Sequence, residues 1–182
     1  AYFDETGLYA FGNQPRAMFR NLVRLAEALR PLVPDLAIGD VYGDFEALLD
    51  KAIETKLLRR LGLESNGAID AELVGTVFGF LNASEICYER FFFDLHGGLA
   101  REEKLLAGDT KHHYTGEAWK ALRALLELYA PAQSWPTYYD GAAPCTLLID
   151  EIEAIWSAID HSNDWSPFTE KIRLIRAKGE AR

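Results

Sequence analysis

The chain is short of cysteine, with two in 182 residues, Cys87 and Cys145. Two are too few for a disulfide scaffold, and a sequence alone does not say whether they meet in space. A reducing compartment, the cytoplasm, is therefore the expectation. Lysine and arginine are outnumbered by aspartate and glutamate, 19 against 28, for a net charge of -9. That balance argues against general binding to nucleic acid or to an anionic membrane, since both are held by clustered cations. No apolar run approaches the roughly 20 residues that span a bilayer. The first residues lack the basic-then-apolar pattern of a secretion signal. No glycine-rich phosphate loop appears, and no Gly-x-Ser-x-Gly elbow. These absences leave no reaction that the residues alone can name.

What the chain has is helical periodicity. At 49% hydrophobic residues it is long enough to bury a core, and one domain spanning 1–182 is the default for this length. Asn13 and Pro15 mark a helix start, and Ala17, Met18, Leu22, Leu25, Ala26 and Leu29 recur on one face, expected to be buried. Pro31 and Pro34 stop that helix. A second runs from about Asp40 to Leu61 along Val41, Phe45, Leu48, Leu49, Ala52, Ile53 and Leu57, with Gly62 as its stop. Asp70 is placed as the cap of a third, Ala71 to Leu81, and Asn82 or Ser84 opens a fourth that ends at about Leu95. The run Tyr88 to Phe93 has strand propensity but sits in a helical context, and it is read as helix. Further helices are expected over about 100–106, 115–129, 146–159 and 167–178. The sum is an all-α fold, a single helical domain of seven to eight helices.

Each candidate site carries a bland alternative. Arg16, Arg20 and Arg24 stand at successive i, i+4 positions. They are either a surface for an acidic partner or the solvated face that an amphipathic helix requires. Trp135, Tyr138 and Tyr139 lie in the least regular stretch, about 130–144. Tyrosine and tryptophan suit an interface, and they equally suit pinning a loop to a core. His112 and His113 with Asp109, and Asp160 and His161 with Asp164, have ligand-type side chains, but neither group has a metal-site spacing and surface polarity is the simpler reading. His96 falls at a helix C-terminus, where a positive charge would be favourable. Cys87, within an apolar helix, and Cys145, after a proline, read as buried or incidental thiols rather than nucleophiles. No catalytic, cofactor-binding or metal-binding residue is assigned in this chain.

One stretch says more. Gly7-Leu-Tyr-Ala-Phe-Gly-Asn-Gln-Pro15, followed by Asn21-Leu22 and Leu25-Ala26-Glu27-Ala28-Leu29, resembles a signature of the SelO/YdiU family, close to G-R-Y-A-Y-x-x-Q-P and W-N-L-x-x-L-A-x-x-L. Leu58-Arg59-Arg60-Leu61-Gly62-Leu63 resembles the family's M-R-x-K-L-G-L segment. Asp70 to Leu73 and Tyr88 to Phe92 resemble its D-x-x-L and D-Y-T-x-x-F-R-x-L segments. Arg20 departs from the family's tryptophan, and Glu89-Arg90 from its Thr-x. The likeness is good over the first half and poor beyond about residue 98.

The resemblance implies a kinase-like fold, whose helical C-lobe the first half would belong to, and a protein adenylyltransferase activity that uses ATP and Mg²⁺. It also implies that the residues gripping nucleotide and metal lie upstream of the Gly7 to Pro15 block. The chain is then expected to be the C-terminal helical part of a longer protein. Its partners would be the N-terminal catalytic part and a protein substrate, with no nucleic acid and no membrane. The alternative is a stand-alone, non-catalytic helical interaction module. An apolar face left open on the first two helices favours a missing lobe, and a sealed core favours the independent module.

Overall fold

A computed structural model of the chain describes residues 7, 10–33, 38–132 and 136–181. Among them the fold is all-α. The helices are α1 (Gln14–Leu29), α2 (Ile38–Leu61), α3 (Asp70–Ser84), α4 (Tyr88–Asp94), α5 (Glu102–Ala107), α6 (Gly116–Leu126), α7 (Ile149–Ser162) and α8 (Ser166–Glu180). Short 3-10 turns join several of them, and among the described residues the one β feature is an isolated antiparallel bridge between Leu63 and Pro131. None of the described helices is long and apolar enough to cross a membrane. By their contacts the residues form two compact units, Ala1–Ile53 and Glu54–Arg182, with the division falling inside α2.

In the first unit, Pro15 sits in the first turn of α1, where its missing N–H costs nothing. Asn13 precedes the helix as expected but does not cap it with its side chain; the amide donates back to the Gly7 carbonyl and closes the turn ahead of the helix. Phe19 of α1 and Phe45 of α2 lie 5.8 Å apart, ring centre to ring centre. The expected buried face of α1 is only partly realised. Ala26 is buried, Ala17 and Leu22 are half-buried, and Met18, Leu25 and Leu29 face water. Leu48 of α2, placed on that helix's apolar stripe, is exposed as well.

The second unit holds the core. Leu57, Leu58 and Leu61 from the end of α2 meet Leu73, Val77 and Phe80 of α3, Phe91 and Phe92 of α4, and Trp119, Leu122 and Leu126 of α6. Phe80, 1% exposed, sits at the centre, with Phe91, Tyr114 and Trp119 each within 5.8 Å of its ring centre. Such offset and tilted pairs suit the ring quadrupoles. The turn before α3 is organised by Asp70, which is the first residue of the helix and not its cap. Its carboxylate accepts from the Asn66 and Gly67 N–H groups, the Ser65 hydroxyl and the Tyr129 hydroxyl. Burial pushes the Asp70 carboxyl up, but these donors outweigh it and hold it below the usual carboxylate range.

The largest departure from the expected boundaries is where α3 gives way to α4, while α6 stops at Leu126 and α7 runs three residues later than expected, Ile149–Ser162. α3 continues through Ser84 and turns on Glu85, a non-glycine residue at φ 55°, so the fourth helix begins at Tyr88 and not at Asn82 or Ser84. Nothing between Leu81 and Ser84 breaks a helix, and the stop lacks the glycine that usually marks it. The aromatic run Tyr88 to Phe93 is helical, as read. Cys87 is exposed at the N-cap of α4, outside the helix, and Cys87 and Cys145 are both free thiols.

The core and the periphery should separate in a denaturant titration. Leu122→Ala, fully buried on α6, is expected to cost about 2–5 kcal/mol. Leu147→Ala, 56% exposed, should stay within about 0.5 kcal/mol of the parent. Equal midpoints for the two variants would contradict this packing.

Candidate functional site

Two places bring together residues singled out in the sequence. The first is α1. Arg16, Arg20 and Arg24 are exposed on one side of the helix, and Met18, Leu25 and Leu29 are exposed on the opposite side at 100° per residue. Arg24 pairs with Glu27 at 2.9 Å, both well exposed, so the pair contributes little to stability. Arg16 and Arg20 have no ion pair among the described residues. The helix therefore shows water a basic face and an apolar face together.

The second place is the segment around Tyr138 and Tyr139, in the 3-10 turn Thr137–Asp140. Trp135 lies outside the described residues. Tyr139 is buried, and its ring stacks on the His96 imidazole at 3.6 Å with an interplanar angle of 2°. Tyr138 is half-buried, edge-on to Phe93 at 5.5 Å, and its hydroxyl accepts from the Cys145 N–H at 2.8 Å. The Lys104 ammonium donates to the carbonyls of Tyr139, Asp140 and Gly141 at 2.8–3.1 Å, which ties off the end of the turn. Arg101 adds an ion pair to Asp140 at 2.9 Å. These contacts pin an irregular, aromatic segment to α4 and α5.

His96 corrects its sequence reading. It is 5% exposed, and its Nδ1 lies 3.2 Å from the Arg60 carbonyl. Burial pushes its pKa down, with Arg101 adding to the effect, so the ring is held neutral rather than carrying a helix-end charge. Gly62, at φ 60°, makes room for it: a Cβ there would stand 2.6 Å from the imidazole. No pattern in the sequence links Gly62, His96, Lys104 and Tyr139, which are far apart along the chain and meet only in the fold.

Beside this segment is a cavity of about 380 Å³ whose lining includes Arg90, Asp94, Arg101, Lys104 and Tyr139. Arg90 donates to Asp94 at 2.7 Å and reaches Asp109 at 3.0 Å. Asp94 also accepts from Thr110 and from Tyr114. Burial opposes the Arg90 charge, yet the two aspartates hold its pKa above the ordinary value. Burial and the neighbouring Arg101 push Lys104 below its ordinary value. Each cation here already has carboxylate or carbonyl partners, so the cluster is a structural strut.

The histidine groups do not form a metal centre. His112 and His113 turn to the Asp109 and Ser84 carbonyls, and His161 to the Ser157 carbonyl. Among the described residues no group of three or more His, Cys, Asp or Glu side chains could hold a metal ion. The described residues thus offer no ready ligand set for the Mg²⁺ that the resemblance implies for the longer protein.

Compared with known proteins, residues 1–176 match the family model described as protein adenylyltransferase SelO. The chain is similar to the protein nucleotidyltransferase YdiU of Synechocystis, 29% identical over 97% of this chain and 40% of that protein. It is also similar to those of Gloeobacter violaceus, 29% identical over 97% of the chain and 38% of the relative, and of Vibrio parahaemolyticus, 32% over 82% and 27%. The chain thus spans well under half the length of these curated relatives. No solved structure matches it.

The His96 arrangement generates a pH dependence. The folded-state pKa lies below the unfolded value of about 6.5. The stability contributed by the neutral ring is therefore fully present above about pH 6.5 and is lost as pH falls through the lowered folded-state value. Urea midpoints should drop between about pH 7.5 and pH 5. His96→Gln should be less stable at the higher pH and show a shallower drop. An unchanged pH slope in the variant would remove His96 as the cause.

Proposed function

This chain belongs to the SelO family, and from that premise we propose that it is the C-terminal helical part of a longer protein adenylyltransferase, supporting that enzyme's catalytic lobe. The observation that carries the proposal is the open apolar face of α1. Met18 and Leu25 are each 55% exposed, Leu29 is 38% exposed, and Leu48 on α2 is 69% exposed. Large aliphatic side chains gathered on one helix in this way are expected where another protein surface covers them. In this reading the cover is the upstream part of the parent. A match that spans about 40% of a relative's length is in keeping with a longer protein.

The activity belongs to the parent in this proposal. ATP and Mg²⁺ bind in its upstream part, and AMP is transferred to hydroxyl groups of proteins. The role of this chain is to buttress the lobe that holds the nucleotide and to shape the surface that receives the protein substrate. The first half corresponds to the helical C-lobe of a kinase-like fold. Arg16, Arg20 and Arg24 form the basic face of α1 that an acidic segment of the substrate, or of the upstream lobe, would meet.

The test is transfer of labelled AMP from ATP with Mg²⁺, run on this chain and on a longer polypeptide that contains it. Labelling is expected only with the longer protein. There, Leu25→Asp should lower the rate by roughly tenfold or more through a misplaced lobe. The same change in the isolated chain should leave its unfolding midpoint nearly unchanged, because Leu25 faces water. Labelling by the isolated chain would overturn the proposal. Labelling by neither polypeptide would turn it to a non-catalytic interaction module.

A further inference from the structure

The C-terminal hairpin carries a second unsealed apolar surface, independent of the reading above. α7 and α8 are joined by a tight turn on Asn163 at φ 51°, and neither helix contributes a buried residue. On α7, Ile149, Ile152 and Trp156 recur at i, i+3 and i+7 and are 67%, 42% and 63% exposed. On α8, Phe168 and Ile175 stand seven residues apart and are 43% and 39% exposed. Two adjacent helices thus each leave an apolar row in water, which is unfavourable in proportion to its area.

The two rows are edged by opposite charge. α7 carries Asp150, Glu151, Glu153 and Asp160 with no lysine or arginine, whereas α8 carries Lys171, Arg173, Arg176 and Lys178 against Glu170 and Glu180. Pairing within the hairpin uses up little of this. Lys171 meets Glu151 at 2.7 Å, Arg173 is held by Glu170, and Lys178 turns away to Glu89. Among the described residues, Glu153 on α7 and Arg176 on α8 are left without an ion pair. Glu153 lies four residues after Ile149 and three before Trp156, on the same row, and Arg176 adjoins Ile175.

We infer that the α7–α8 hairpin is a self-association surface. Two copies pair about a twofold axis with α7 of one copy on α8 of the other. Trp156, Ile149 and Ile152 bury against Phe168 and Ile175, and Glu153 meets Arg176 of the second copy. A twofold interface must be self-complementary, and each complementary contact then occurs twice. The hairpin meets that requirement, because its acidic row and its basic row lie on helices of nearly equal length, 14 and 15 residues. Four such helices, each about 22 Å long, match end to end as a bundle. A second copy is the partner whose complementary chemistry is already present in this structure.

The test is sedimentation equilibrium of the intact chain from about 1 to 200 μM, the range in which an interface of modest area shows itself. A concentration-dependent dimer, twice the 20.4 kDa chain mass and weakened by salt, is expected. Trp156→Glu should give monomer with an unchanged helical circular-dichroism spectrum, since the side chain is exposed. Glu153→Arg and Arg176→Glu should each weaken the dimer by about tenfold, and both changes in one chain should restore it. A chain that stays monomeric at the highest concentration overturns the inference, and so does a dimer that survives Trp156→Glu. Single charge reversals without effect, or a double reversal that fails to restore the dimer, overturn the placing of α7 on α8.

Discussion

The structure of the larger unit depends on the packing of α3 against α6 around Phe80. Phe80, Leu73, Val77 and Leu122 have essentially no exposure, and the end of α2 and the aromatic face of α4 close over them. Each fully buried side chain of this kind contributes roughly 1.5–3 kcal/mol of transfer free energy, against the entropy of ordering it. Elements that reach this seam are fixed by shape. Elements that do not reach it are held by polar contacts, and the hairpin α7–α8 is the clearest case. Lys178 joins it to Glu89 and to the Cys145 carbonyl, while Glu89 also holds Arg60, whose guanidinium lies 4.1 Å from the Phe92 ring centre.

Helix existence was legible in the sequence, because apolar residues at i, i+3, i+4 and i+7 need only local geometry. Where a helix stopped was legible at Gly62 and not at Ser84. Gly62 announces a left-handed residue by its type, whereas Glu85 adopts that conformation without a sequence cue. Facing was the weakest inference. Periodicity identifies a stripe on α1 but not its cover, so Met18 and Leu25 were placed in a core and are found in water. The same lack of tertiary information made His96 look like a charged helix end, when its setting is a stack on Tyr139 forty-three residues later.

Function was legible only through resemblance. The Gly7 to Pro15 block and its followers point to the SelO family, and the family model matches residues 1–176, which extends the likeness through the second half, where the motif resemblance is poor. Physical reading of the same residues yields turns, caps and helix faces and names no chemistry. Tyr138 and Tyr139 illustrate the limit: composition leaves interface and anchor open, and the anchor is visible only once Lys104 and His96 are beside them.

Because α7 and α8 contribute no fully buried side chain, the hairpin and the core need not unfold together. Backbone amides of α3 and α6 are expected to exchange with solvent only through global opening, whereas those of α7 and α8 should open with the loss of half-buried contacts at Ile155, Ile159, Ile172 and Leu174 and of the charged contacts at Glu89, Glu151 and the Cys145 carbonyl. The cooperative unit then ends before the chain does. A protease that cuts near Ala143 would free the tail while the aromatic seam around Phe80 stayed closed.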